Sequence, residues 1–307
     1  MKKLTLLLAI LMLLLTASCA ASQEKPNTNT TSTLVSIPTP TLKFTAETFP
    51  KMDGSTANIP LAQALAKLFL GVEDAEAEAL AAFNTTADSY KNLANGKCDL
   101  LLVYEASDET KKELDAMGTQ LEYFPIGKDA LVFIVNENNP VKSLNQQQLV
   151  DIYAGKIKNW NEVGGETLDI AAFQRDPTSG SQALMKKLVM KDVPMAEAPT
   201  EFTPAEMGML IDRLAEYDNS SAAIGYSVYY YASLMYARQG LKFLGVDGVV
   251  PTNEMIAAGE YPYTNDFYAV LRKDEPAGSP ARQLAEWLGS SEGRALINSC
   301  GYVSAAG

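Results

Sequence analysis

The sequence contains no histidine, only three cysteines, and no apolar run approaching the roughly 20 residues needed to cross a bilayer. Without histidine, His-based Ser and Cys triads, His-ligated zinc and imidazole proton shuttles are excluded. Cys19, Cys98 and Cys300 form no Cys-x-x-Cys pair, which excludes a Cys-rich zinc or iron–sulfur centre. No cofactor is expected, and the chain does not read as an enzyme. Basic residues are also short: 25 Lys and Arg stand against 37 Asp and Glu, a formal charge of −12. Such a balance disfavours nucleic acid and anionic lipid as partners. What the 307 residues do contain is 47% apolar side chains against 20% charged, enough to bury a core in one two-lobed domain or two smaller ones.

The N-terminus reads as an address. Lys2 and Lys3 precede an apolar run of ten residues, Leu6 to Leu15, the length of a signal-peptide core. The run ends in Leu15-Thr16-Ala17-Ser18-Cys19. Small residues followed by Cys resemble a bacterial lipobox, in which Cys19 carries the lipid and becomes the mature N-terminus; the alternative is an ordinary signal peptide cut near Ala17 to Ala21. Residues 1–18 are thus a leader, and 19–42 a lipidated Cys with a Thr-, Ser-, Asn- and Pro-rich tether. The tether has an r.m.s. reach of about 25–30 Å. The expected product is an extracytoplasmic globule tied to the bacterial cell membrane. That environment permits disulfides, so Cys98 and Cys300 stand either as a pair or as two buried thiols.

From Lys43 onward, short apolar runs alternate with helical patterns. Helices are predicted over 61–70, 75–82, 90–96, 108–117, 144–153, 182–189, 207–217, 281–288 and 292–297. Strands are predicted over 99–103, 130–135, 170–173, 223–225 and 268–271. This alternation implies an α/β fold with mostly parallel sheets, whose ligands gather at the strand-to-helix turns.

Three such turns are built for an anion: Asp53-Gly54-Ser55-Thr56-Ala57, Asn84-Thr85-Thr86, and Arg175-Asp176-Pro177-Thr178-Ser179-Gly180-Ser181. Each sets hydroxyls and unpaired amide N–H groups at a helix N-terminus, where the helix carries partial positive charge. Gly180 permits close backbone approach, and Arg175 adds a planar fork of donors. Each turn alone is better explained by ordinary N-capping; three together, one with an arginine, shift the balance toward a site.

These segments resemble the substrate-binding proteins of bacterial phosphate ABC transporters, in their lipoprotein branch. The markers run in order through residues 43–305: DGSTANIPL (53–61), NTT (84–86), PIGKDALVFIVNENNPV (125–141), IYAGKIKNWNEVGG (152–165), FQRDPTSGSQ (173–182), AIGYSVYYY (223–231) and WLGSSEGRALINSCGYV (287–303). The resemblance implies a two-lobed type II periplasmic-binding-protein fold with two hinge crossings, near 125–130 and 261–268. Lobe 1 would comprise 43–126 and 266–307, and lobe 2 would comprise 127–265. Thr56, the Ala57 amide and Thr86 would bind ligand oxygens from lobe 1, with Ser55 as a neighbour in the same turn. Arg175, Ser179, Gly180 and Ser181 would close from lobe 2. The implied ligand is inorganic phosphate, the partner an ABC permease, and the receptor a monomer.

The chain departs from the family at one point. The family places an Asp after the strand that follows the second turn, where its carboxylate accepts a hydrogen bond from a protonated phosphate oxygen. Here Tyr104 occupies that place, followed by Glu105. Tyr104, Glu105 or Asp53 could supply the acceptor instead. The departure keeps open a second reading, a sensor or scavenger of another oxyanion or a phosphorylated metabolite on the same fold. The tyrosines at 226 and 229–231 are expected to be packing residues, and Trp160 and Trp287 to be core anchors.

Overall fold

A computed structural model describes residues 40–306 except 205, 218 and 219; the leader, Cys19 and the tether up to residue 39 lie outside the described residues. Pro40 is already buried and Leu42 packs on the core, so the folded part begins before Lys43.

The first half of the chain runs β1 (Met52–Gly54), α1 (Ile59–Leu70), α2 (Asp74–Leu80), α3 (Thr86–Ala94), β2 (Leu100–Tyr104), α4 (Asp108–Ala116), β3 (Leu121–Asn136), β4 (Ser143–Leu144) and α5 (Gln146–Tyr153). The second half runs β5 (Ala171–Ala172), α6 (Gly180–Leu184), α7 (Met207–Glu216), β6 (Ala223–Val228), β7 (Leu241–Val246), α8 (Asn253–Ala258), β8 (Thr264–Arg272), α9 (Pro280–Leu288), α10 (Ser291–Ser299) and β9 (Val303–Ser304). α6 continues directly into a π-helical segment, Met185–Met190.

β3 belongs to both halves of this two-lobed α/β fold. From Leu121 to Ala130 it pairs with β8; from Leu131 onward it pairs with β6 and, from Phe133, also with β7. β2 and β1 extend the first sheet beyond β8, and β9 joins it at Gly127 and Lys128. β5 and β4 complete the second sheet beside β6 and β7. The register shifts between Pro125 and Gly127, a bulge of the kind Pro imposes where it removes a ladder donor. Gly127 is required there, because a Cβ would stand 2.3 Å from the Phe267 ring.

The expectation of mostly parallel sheets is corrected. Only β1–β2, β4–β7 and β5–β6 are parallel; the pairings of β3 with β6, β7, β8 and β9, and of β2 with β8, are antiparallel. The long central strand and the returning β8 run against their neighbours, so the helical crossovers that make sheets parallel serve only the flanking strands. β3 is also far longer than the predicted 130–135, because Pro125, Gly127 and the charges at 128–129 break the apolar run that marked it.

β2 shows how the two cores divide. Leu100, Leu102 and Tyr104 face the main core, while Leu101 and Val103 face a smaller one with Tyr90, Leu93, Leu114 and Val270. This is the period-two alternation of a strand buried on both faces. Trp160 and Trp287 are core anchors: the Trp160 indole donates to the Ala222 carbonyl, and Trp287 meets Phe69 edge-on at 4.9 Å. Cys98 and Cys300 are both free thiols, and burial pushes the Cys98 thiol up to about 12.

Candidate functional site

The first turn is set by β1 lying parallel to β2. The Ser55 N–H donates to the Leu102 carbonyl at 3.0 Å, and a Cβ on Gly54 would collide with that carbonyl at 1.9 Å. The chain then turns through a 3-10 segment, Thr56–Asn58, into α1, with Pro60 in its first turn. The second turn caps α3: Thr85 accepts from the Asp88 N–H, and Thr86 opens the helix with its side chain buried. Ser55 Oγ and Thr86 Oγ1 share a hydrogen bond of 2.9 Å, which joins the two turns.

The third turn comes from the second sheet. Ser179 caps α6 by accepting from the Gln182 N–H at 3.2 Å. Gly180 and Ser181 follow at the helix start, and Ser181 Oγ is buried with no hydrogen-bond partner among the described residues. Arg175 is only 6% exposed; its backbone N–H donates to Tyr226 Oη and Gln182 Oε1, each at 3.2 Å. Burial lowers its guanidinium from its ordinary value, offset by Tyr226, Tyr231, Asp176 and Glu206.

Ser55, Thr56, Thr86, Tyr104, Arg175, Ser179, Gly180 and Ser181 line one cavity of about 520 Å³. The two walls meet directly: a Cβ on Gly180 would sit 2.7 Å from Thr86 Oγ1. A larger groove of about 890 Å³ shares only Arg175 and Asp176 with it and runs along 105–111 and 182–198. The smaller cavity is the candidate site, because the three hydroxyl-bearing helix starts converge there.

Residues 40–292 match the PBP superfamily domain. The chain belongs to the periplasmic-binding-protein superfamily. The phosphate-binding protein PstS of Bacillus subtilis is 27% identical over 260 residues, covering 82% of this chain and 79% of that protein. PstS of Borreliella burgdorferi is 24% identical over 206 residues, covering 66% of this chain and 71% of that one. The fold is shared with an ABC-type phosphate transport receptor from Vibrio cholerae, at TM-score 0.60 and 23% identity, covering 82% of this chain and 98% of that one. It is also shared with a Clostridium perfringens protein described as a phosphate ABC transporter substrate-binding protein and solved with bound phosphate, at TM-score 0.64 and 23% identity, covering 83% and 98%.

Within this superfamily fold, two of the three candidate acceptors are committed elsewhere. Asp53 is 4% exposed, and its carboxylate accepts from the Gly54 N–H, the Asn84 N–H, Asn84 Nδ2 and Asn92 Nδ2, each at 2.8 Å. It binds the first turn to the second and does not line the cavity. Glu105 also lies outside the cavity, between Lys111 at 2.7 Å and Lys187 of the opposite wall. Burial pushes its carboxyl up, but the hydrogen bonds from the two lysines outweigh this and hold it below its usual range. Tyr104 does line the cavity. Ala57 is fully buried and is not among the lining residues; its carbonyl accepts from Tyr302 Oη at 2.7 Å.

Several participants escaped the sequence reading. Tyr226 packs as expected, but its hydroxyl also donates to Gln182 Oε1 and receives the Arg175 N–H. Tyr231 lines the cavity, as do Glu206, Met207 and Gly208 at the start of α7. Asp129, buried in β3, accepts from Tyr104 Oη at 2.7 Å; an acidic residue at a strand edge gives no sequence signal that separates it from a solvated one. One spacing fits a hydrolase nucleophile elbow, Gly289-Ser290-Ser291-Glu292-Gly293, but it joins α9 to α10, whereas such an elbow joins a strand to a helix.

Proposed function

We propose that this protein is an extracytoplasmic receptor, lipid-anchored through Cys19, that captures inorganic phosphate and delivers it to an ABC permease. The observation that carries the reading is the convergence of Thr56, Thr86, Arg175 and Ser179 to Ser181 on one cavity, from both sheets. Neutral hydroxyls and helix-start amides would hold the oxygens of a desolvated tetrahedral anion, and the Arg175 guanidinium would supply the countercharge. The acidic surface weakens long-range steering but not binding, since helix-end dipoles act within about one turn. The relatives named phosphate-binding protein PstS, matched over most of their length, support phosphate as the ligand.

The lobes in this reading are 43–126 with 266–307, and 127–265. The change of sheet along β3 at Ala130–Leu131 and the start of β8 at Thr264 support that division. The receptor acts as a monomer that closes its lobes over the ligand. Calorimetric titration of the ligand-stripped full chain with phosphate tests the reading: saturable binding is expected, and no binding retires phosphate while leaving the fold. Mass spectrometry of the membrane-extracted protein tests the anchor, which requires a diacylglycerol-modified Cys19 at the mature N-terminus.

A further inference from the structure

The candidate cavity is about 520 Å³, a size that suits a small organic ligand better than a lone tetrahedral ion. Ser55, Thr56, Thr86 and Ser179 to Ser181 supply its hydroxyl-rich end, where Ser181, 1% exposed, holds its unpartnered Oγ. The other end has the opposite character. Glu206, Met207, Gly208 and Asp212 line it from the start of α7, together with Tyr231 and Tyr236. Among the described residues the lining carries one cation, Arg175, against three carboxylates, Asp176, Glu206 and Asp212. Such an excess of negative charge is a poor match for a bare dianion.

Two of the carboxylates are committed. Asp176 accepts from the Thr178 N–H at 2.9 Å and from the Thr178 hydroxyl. Asp212 accepts from Tyr236 Oη at 2.8 Å and pairs with Arg238, whose guanidinium also stands 5.8 Å from the centre of the Tyr236 ring. This end of the cavity therefore already attracts one cation of the protein's own. Glu206 is different. It is exposed, makes no cap to α7, and has no hydrogen-bond or ion-pair partner among the described residues. Tyr231 is 7% exposed, and its hydroxyl likewise has no hydrogen-bond partner among them. Its ring lies parallel to that of Tyr236, with centroids 5.8 Å apart. The start of α7 leans on both: a Cβ on Gly208 would stand 3.2 Å from Tyr231 Oη and 3.3 Å from the Tyr236 ring. Tyr231 and Glu206 both act on the Arg175 guanidinium, so the two ends of the cavity meet there.

We propose that the cavity takes a phosphate monoester whose short tail ends in a primary ammonium group, with the phosphate at the Ser and Thr helix starts and the ammonium at Glu206 and Tyr231. This rests on the receptor reading above and names a further substrate class for the same site. A primary ammonium has only N–H donors to offer. The Glu206 carboxylate and Tyr231 Oη are acceptors without a donor, and tyrosine ring faces favour a cation. The ligand then brings the positive charge that the acidic end lacks. A neutral tail of the same length would leave Glu206 facing an apolar group with no bond made.

The test is calorimetric titration of the ligand-stripped full chain at pH 7.5, where an alkyl amine is protonated as lysine is. The ligands are orthophosphate, O-phosphoethanolamine and n-propyl phosphate, the last carrying a methyl group in place of the ammonium. O-Phosphoethanolamine should bind about tenfold or more tightly than n-propyl phosphate, the equivalent of one hydrogen bond to a charged group. In Glu206→Gln that ratio should fall toward one, through a loss for O-phosphoethanolamine and none for n-propyl phosphate. Tyr231→Phe should lower it in the same direction. A Glu206 with only a structural role would move both esters alike, and that result overturns the inference. So does equal binding of the two esters, or exclusion of both, in the unaltered protein; orthophosphate binding in the same titrations leaves the receptor reading standing. Binding of O-phosphoethanolamine without orthophosphate upholds the inference and retires free phosphate as the ligand. If none of the three binds, the receptor reading falls and this inference with it.

Discussion

Thr86 and Gly180 touch across the cleft, one on each wall, so closely that Gly180 has no room for a methyl group: its Cβ would lie 2.7 Å from Thr86 Oγ1. Gly180→Ala should therefore prop the walls apart. Overpacking of this kind costs about 1–3 kcal/mol, roughly five- to 150-fold in phosphate affinity. The double variant with Thr86→Ala removes the clashing oxygen and should bind no more weakly than Thr86→Ala alone. Titration of the three variants checks this.

Arg175 lines the cavity from a backbone clamped by Tyr226 and Gln182. Arg175→Ala should remove most phosphate binding, about 2–5 kcal/mol, with the circular dichroism spectrum unchanged. Unaltered affinity would remove Arg175 from the site.

Asp53 should behave as a structural residue. Asp53→Ala leaves four N–H donors around a buried site without their acceptor, at a cost of about 3 kcal/mol or more in urea unfolding.

Glu105 and Lys187 bridge the two walls at a partly exposed position. Pairs of this exposure contribute about 0–1 kcal/mol. Lys187→Ala should therefore change phosphate affinity less than about fivefold, with the change diminishing in high salt. Stopped-flow measurement of ligand release at low and high salt is the check.

Asp129 gives a pH signature in stability. Its folded value of about 6 lies above the ordinary 3.8, so the folded state holds the proton more tightly than the unfolded one. The associated stability is complete below about pH 4 and is lost as pH rises through about 6, amounting to about 3 kcal/mol. Asp129→Asn should flatten this segment of the stability curve, and urea unfolding between pH 4 and 7 reads it directly.

The three turns were legible because helix starts rich in Ser, Thr and Gly announce themselves locally, and Arg175 stands beside one of them. Element positions followed wherever apolar periodicity was unbroken, as in α1 and α9. Three things depended on partners far along the chain. The first half of β3 has Pro125, Gly127 and charges that spoil its period, and it is held as a strand by β8, more than a hundred residues later. Asp129 carries the same charge as any surface aspartate until Tyr104 and the Tyr230 N–H meet it. Strand direction depends on which elements return beside which, and no local pattern records that, so the antiparallel pairings of β3 and β8 were not foreseen.

Tyr302 donates to the carbonyl of Ala57, a hydrogen bond spanning 245 residues, and its ring stacks on Tyr230 at 3.5 Å. A chain emerging N-terminus first therefore releases the first turn of the candidate site long before the residue that buttresses it. That turn must wait, unsupported, for nearly the whole polypeptide to emerge. Contacts of such separation slow the search for the native state, so the cleft should be among the last features to mature, and removal of the final few residues should damage its beginning.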